Sequence, residues 1–179
     1  RGVLARAYSE MSMTGDVQYV RYGASYQHFI PLSKQYALAL NADWGQGQAI
    51  SNGTYPVFKN FYVGGLGSVR GYAQGSLGPR DVTGWVTGGP KKLVLNGEFF
   101  MPFPGAGNDK TLRLYGFVDA GNVFGANDPI RINELRAAYG AGLSWVSPMG
   151  PLRLALANPL NPQSGDRINR FQFQIGNTF

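Results

Sequence analysis

Apolar and polar residues alternate along most of the chain, and helical periodicity is nearly absent. The last stretch shows this most clearly. Phe171, Phe173, Ile175 and Phe179 fall on odd positions, while Gln172, Gln174, Gly176 and Thr178 fall on even ones. A strand turns successive side chains to opposite faces, so the pattern predicts one apolar and one polar face. Tyr36, Leu38, Leu40, Ala42 and Trp44 alternate in the same way with Gln35, Ala37, Ala39, Asn41 and Asp43. Leu93, Leu95, Gly97, Phe99 and Met101 likewise stand opposite Lys92, Asn96 and Glu98. Further strands are predicted at 2–14, 17–31, 111–124, 134–147 and 151–158.

This amounts to about eight strands, several of them near the ~9–11 residues that a tilted strand needs to cross a bilayer. Turn residues separate them at Thr14-Gly15-Asp16, Pro31-Leu32-Ser33-Lys34, Pro148-Met149-Gly150-Pro151 and Asn161-Pro162. Short turns are expected near 15, 33, 105–110 and 149, opposite long loops at 45–90, 125–133 and 159–166. Short turns at one end and long loops at the other are the pattern of outer-membrane barrels. A soluble sandwich or lipocalin-like barrel would instead carry many Lys and Glu on the polar face. Here that face is mostly Gly, Ala, Gln, Asn and Ser. Tyr19, Tyr22, Tyr26, Trp44, Trp145 and Phe179 lie towards strand ends, where interface girdles belong. The predicted class is all-β, an antiparallel transmembrane β-barrel segment.

Composition agrees with this. Of 179 residues, 15% are charged and 13% aromatic, and 26 are glycine. Intrinsic disorder needs higher charge and fewer apolar residues. No run of 18 or more apolar residues occurs, so a transmembrane helix is excluded. The chain has no cysteine, which removes disulfide scaffolds and thiol chemistry. Its net charge of +6 raises nucleic acid as a partner. The basic residues are scattered, however, with Lys91-Lys92 the only adjacent pair, so no nucleic-acid partner is expected.

The long glycine-rich loop runs Asn60-Phe61-Tyr62-Val63-Gly64-Gly65-Leu66-Gly67-Ser68-Val69-Arg70-Gly71-Tyr72 and on to Asp81. It lacks the Gly-Lys-Ser/Thr and the strand–glycine–helix context of phosphate-binding loops. A loop this long without structure of its own is usually functional. Catalytic readings are weak. The one histidine, His28, shares the parity of Val20, Tyr22 and Ile30, so it is expected at the lipid interface. There is no Gly-x-Ser-x-Gly elbow. Neither a catalytic residue nor a cofactor nor a metal is expected.

Val69-Arg70-Gly71-Tyr72, with Phe61-Tyr62-Val63-Gly64-Gly65 before it and Gly78-Pro79-Arg80 after it, resembles the signature loop of the BamA family of outer-membrane protein assembly factors. Phe117-Val118-Asp119-Ala120-Gly121-Asn122-Val123-Phe124, Tyr139 to Leu152, and Phe171 to Phe179 resemble three later motifs of that family, in the same order. The resemblance covers essentially the whole chain. It implies the second half of a sixteen-stranded barrel of the bacterial surface antigen type, with the POTRA domains and the first barrel half outside this sequence. The loop at 60–81 is then expected to fold into the barrel.

By position, the resemblance makes Arg70 the guanidinium, and Glu98 and Asp119 its acceptors. Parity independently puts Glu98 and Asp119 on the polar face. Gly67 and Gly71 are expected to let the backbone turn sharply on either side of Arg70. Phe171, Phe173, Ile175, Gly176 and Phe179 would form the terminal strand of a lateral gate. The implied function is insertion of β-barrel proteins into the outer membrane of Gram-negative bacteria. Outer-membrane lipid, unfolded β-barrel clients and Bam-type accessory lipoproteins are the implied partners. A related secretion translocator, a passive small barrel and a lipid-modifying barrel enzyme are the alternatives.

Overall fold

Strands β1 (Gly2–Ser12), β2 (Tyr19–Pro31) and β3 (Ala37–Ala49) are followed by a long loop containing the two-residue β4 (Gly71–Tyr72). After it come β5 (Lys91–Pro102), β6 (Leu112–Phe124), β7 (Arg136–Ser147), β8 (Gly150–Pro159), the two-residue β9 (Ile168–Asn169) and β10 (Phe171–Ile175). This computed structural model describes residues 2–13, 15, 17–50, 53–105, 111–148 and 150–176. One antiparallel sheet has the order β1-β2-β3-β5-β6-β7-β8-β10, and β4 pairs with β9 apart from it.

Residues opposite each other in an antiparallel ladder share a face. Leu4, Gln27, Asn41, Asn96, Asp119 and Ala138 form one such row across six strands. The next row reads Val3, His28, Leu40, Gly97, Val118 and Tyr139. The first row faces the loop and the second faces away from it. Val3, Leu40, Leu95, Val118, Leu156 and Phe173 are exposed on the outer face, as a lipid-facing wall requires.

The core lies between the inner face and the loop. Val63, Val69, Tyr72 and Leu77 of the loop pack against Val94, Val123 and Ala138 of the wall. Burying each Val or Leu contributes roughly 1.5–3 kcal/mol. The loop also has structure of its own, contrary to the sequence expectation. Bridges Phe61–Gly89, Val63–Leu77 and Arg80–Val86 fold it back on itself.

Glycines in the wall make room for rings on neighbouring strands and on the loop. A Cβ at Gly140 would stand 2.6 Å from Phe117 Cζ, and one at Gly45 would stand 2.6 Å from Phe61 Cζ. Gly142 is covered by Tyr115 in the same manner, and Gly47 by Tyr55. These contacts give much of the high glycine content a packing reason.

Four expectations are revised. Connections in an up-and-down sheet alternate ends, and Tyr19 pairs with Ala49, so the turn near 15 lies at the end of the long loops. Tyr19 is not a girdle residue: it is buried on the inner face, edge-on to Tyr55. Tyr22 and Trp44 do lie together on the outer face, 5.6 Å between ring centroids. The strand predicted at 134–147 begins at Arg136, because Ile132–Glu134 form a 3-10 turn. The terminal strand ends at Ile175, and Gly176 bends away with φ +95°. Phe179 lies outside the described residues.

Candidate functional site: a docked loop at the inner wall

The turn that delivers Arg70 is built by Gly64 and Gly65, both at positive φ. Ser68 Oγ accepts from Gly64 N–H at 2.8 Å, and Gly65 N–H donates to the Val69 carbonyl at 3.0 Å. Of the two glycines expected to let the backbone turn beside Arg70, Gly71 is at positive φ, +91°, and Gly67 is not. A Cβ at Gly71 would also approach Ala157 Cβ to 3.2 Å. The motif therefore lies close against β8, where a side chain at position 71 would be both strained and crowded.

Arg70 makes a fork with Asp119. Its Nε donates to Oδ2 at 2.6 Å and its Nη2 to Oδ1 at 2.7 Å, while its backbone N–H also reaches Oδ2 at 3.0 Å. Its Nη1 donates to Glu98 Oε1 at 2.5 Å. The guanidinium lies over Phe117, with Cζ 3.7 Å from the ring centroid. Arg70 is 2% exposed and Asp119 0%, with the Glu98 side chain at 15%. These charges are thus paired and shielded, not hydrated. Burial works against the charge on Arg70, but the bonds and charges of Asp119 and then Glu98 outweigh it and raise its pKa above the ordinary arginine value.

The structure adds groups that the sequence reading did not assign to the site. Asn96 Nδ2 donates to Asp119 Oδ1 at 2.8 Å and to the Ser68 carbonyl at 2.5 Å. Arg153 Nη2 donates to both oxygens of Glu98 at 2.9 Å, and its guanidinium lies 4.7 Å from the centre of Tyr115. Two arginines thus face two carboxylates, so the cluster is close to neutral. Parity carried a signal for these groups. Arg153 interrupts Leu152, Leu154 and Leu156, and Tyr115 and Phe117 are aromatic on a face that should be polar.

Val69 packs on Gly121, and Tyr72 is buried with its hydroxyl 3.3 Å from the Ala137 carbonyl. Burial, then the nearby Asp166 carboxylate, push the Tyr72 phenol up to about 12. The other limb of the loop has a separate anchor. The Phe61 ring has two cations over it, Arg21 at 4.2 Å from its centroid and Lys92 at 5.1 Å. Lys59 pairs with Glu10, and Lys92 with Asp43. Nothing in the alternation marked this cluster.

Along the terminal strand, Phe171, Phe173 and Ile175 point outward, with Phe173 65% exposed. Gln172 points inward and is buried, and Gly176 N–H donates to the Pro151 carbonyl at 2.8 Å. His28 sits on the outer row, its Nδ1 3.3 Å from Tyr26 Oη.

Comparison with known proteins supplies the family. A family model described as the Omp85 superfamily domain matches residues 1–179. The outer membrane protein assembly factor BamA of Neisseria meningitidis serogroup B is 37% identical over all of this chain and 26% of its own length. BamA of Nitratidesulfovibrio vulgaris is 29% identical over the whole chain and 23% of its own. The sorting and assembly machinery component 50 homolog of Mus musculus is 29% identical over the whole chain and 41% of its own. The crystal structure of BamA from Haemophilus ducreyi lacking POTRA domains 1–3 superposes with a TM-score of 0.89 at 28% identity. That match covers 96% of this chain and 37% of the other. The chain therefore spans about a quarter of the length of the two BamA relatives. It belongs to the Omp85 superfamily, and its eight-stranded sheet is part of the wall of an outer-membrane β-barrel.

Proposed function

We propose that the protein containing this chain folds β-barrel clients and inserts them into the bacterial outer membrane, as an assembly factor and not an enzyme, without ATP or cofactor. The observation that carries the reading is the arginine of an inward-folded loop, forked onto Asp119 and shared with Glu98 in a buried cluster. The assembly-factor names of relatives that span the whole chain support the same reading.

In this reading, residues 60–81 fold inward with the Val69–Tyr72 motif as a lock, and the terminal strand is the working edge. A client strand pairs there by β-augmentation, with backbone hydrogen bonds giving affinity and alternate side chains meeting lipid. The exposed edge that most sheets must protect is here put to use. Outer-membrane lipid and unfolded barrel proteins are the direct partners, and accessory lipoproteins are proposed to dock on POTRA domains outside these residues.

The test uses the full-length protein in vesicles of phosphatidylethanolamine and phosphatidylglycerol, with a urea-unfolded barrel as client. The client should become protease-resistant faster than with empty vesicles, and Arg70→Ala should lose most of that acceleration. A rate equal to that of empty vesicles would overturn the reading.

A further inference from the structure

The docked motif is joined to the terminal hairpin by contacts of three kinds. Backbone pairing is one: β4 and β9 are in register at Gly71–Asn169 and Tyr72–Ile168, and the Ala73 N–H donates to the Arg167 carbonyl at 2.7 Å. A side chain supplies the second, because Gln172 Nε2 donates to the Tyr72 carbonyl at 2.7 Å, with Gln172 only 7% exposed. The third is ionic. Glu98 Oε1 accepts from Arg70 on the loop and from Arg153 on β8, and β8 is the neighbour of the terminal strand.

Besides these contacts, the terminal strand is held by β8. It pairs with β8 over only five residues, Phe171–Ile175. The segment ahead of it is fastened at one end, where Arg136 of β7 binds Asp166 at 2.6 Å and Gln163 at 2.8 Å. Those bonds do not involve the loop. From Arg167 to Asn169 the backbone pairs with the motif; from Arg170 onward it also joins β8, the Arg170 carbonyl accepting from Ala157 N–H at 2.8 Å and Phe171 and Gln172 pairing with Leu156 and Ala155.

We propose that the docked loop is a latch on the terminal hairpin, with Gln172 and Arg153 as its positioning residues. While Val69–Tyr72 is seated, residues 167–172 are held to it and the first part of the terminal strand is fixed. When the motif leaves the wall, these residues lose the β4–β9 ladder, the Gln172 bond and the shared carboxylate together. The terminal strand then frays from its start, and its edge becomes available to a second strand. The consequence for clients rests on the insertase reading, while the coupling of loop to strand stands on geometry alone.

Amide hydrogen exchange of the full-length protein in vesicles tests the coupling. Arg70→Ala should speed exchange at residues 168–172 at least tenfold while 163–166, held by Arg136, change far less. Gln172→Met should speed it at least threefold with the loop still protease-resistant. Arg153→Met should do the same, and Arg153→Lys should restore the slow rate. Release of the loop by Arg70→Ala with wild-type exchange at 168–172 would overturn the latch. A functional arm uses a reversible disulfide introduced into the full-length protein with any other cysteine replaced by serine. Ala73→Cys with Arg167→Cys joins loop to segment where the ladder continues. Client insertion should stop on oxidation and return on reduction. Undiminished insertion by the oxidised form would overturn the latch as a working part. Fast exchange in Arg70→Ala, combined with no insertion by any form including wild type, would support the latch and overturn the insertase reading instead.

Discussion

Asp119 has no exposed surface, and its two oxygens accept four bonds, three from Arg70 and one from Asn96. A buried carboxylate so occupied cannot lose its partner cheaply. Breaking a buried pair typically costs about 3–5 kcal/mol, since the remaining charge is left without compensation. Arg70→Ala should therefore release the loop, read as new protease cleavage between residues 60 and 81. Arg70→Lys should restore little, because an ammonium cannot reproduce the fork to Asp119 and the reach to Glu98 together. A double-mutant cycle between Arg70 and Asp119 should show coupling well above the ~0.5 kcal/mol within which independent sites add. Simple additivity would show that the pair does not hold the loop. Tyr72 sets a pH limit on the same docking. Its phenol is raised from 10.0 to about 12, so the buried neutral form is favoured in the docked state. That stabilisation is complete below pH 10 and is lost as pH rises from 10 towards 12. Tyr55 in the other limb is shifted in the same direction, also by burial. Protease resistance of the loop should hold flat up to pH 10 and fall above it, and a decline centred near neutral pH would contradict this.

Strands carry the next set of consequences. Phe117 lies over Gly140 and supports the Arg70 guanidinium, so the lock depends on a glycine two strands from the loop's own connections. Gly140→Val would meet the Leu156 carbonyl at 2.0 Å as well as the ring, so it should push both β8 and Phe117 aside, cost at least the ~1–3 kcal/mol of ordinary overpacking, and loosen the loop without touching any charge. On the outer face, Phe173→Lys places a charge in the lipid-facing band, where it costs ~2–4 kcal/mol at the midplane. Membrane assembly of the parent should fall, and normal assembly would place Phe173 outside the bilayer. Most of this element-level picture was legible in the alternation. Asn96, Glu98 and Asp119 all lie on the inner face that their parity assigned. The loop's internal fold was not legible, because bridges such as Val63–Leu77 join residues whose spacing leaves no periodic trace. The Phe61 anchor was hidden for a similar reason. Its cations, Arg21 and Lys92, are far apart in sequence and meet only when β2, β3 and β5 are side by side.

At the scale of the molecule, the two faces of the sheet should belong to different solvents. Single cysteines at Leu95, Val118 and Phe173 of the parent should react with lipid-soluble probes, and those at Gln27 and Asn41 with aqueous ones. A reversed pattern would give the barrel an apolar interior and a watery exterior. The family was legible from four ordered motifs, because those motifs combine turns, close glycine contacts and charges that alternation alone does not require. Tyr19 shows where such reading fails. An aromatic residue near a strand end looks like a girdle residue until its register places it inside.

The bond from Gln172 to the Tyr72 carbonyl spans 100 positions in the chain. Contacts this remote close a large loop of chain and form slowly, after the local hairpins that bring their ends together. β5, β6, β7, β8 and β10 must already be zipped in register before Glu98, Asp119, Arg153 and Gln172 stand where the motif can meet them. Seating of the loop is therefore expected as a late event in the folding of this part of the wall, and a wall in the wrong register would offer Arg70 no complete site. Time-resolved folding should show strand protection first and burial of Tyr72 afterwards, so that the seated loop serves as an internal check on a correctly built barrel.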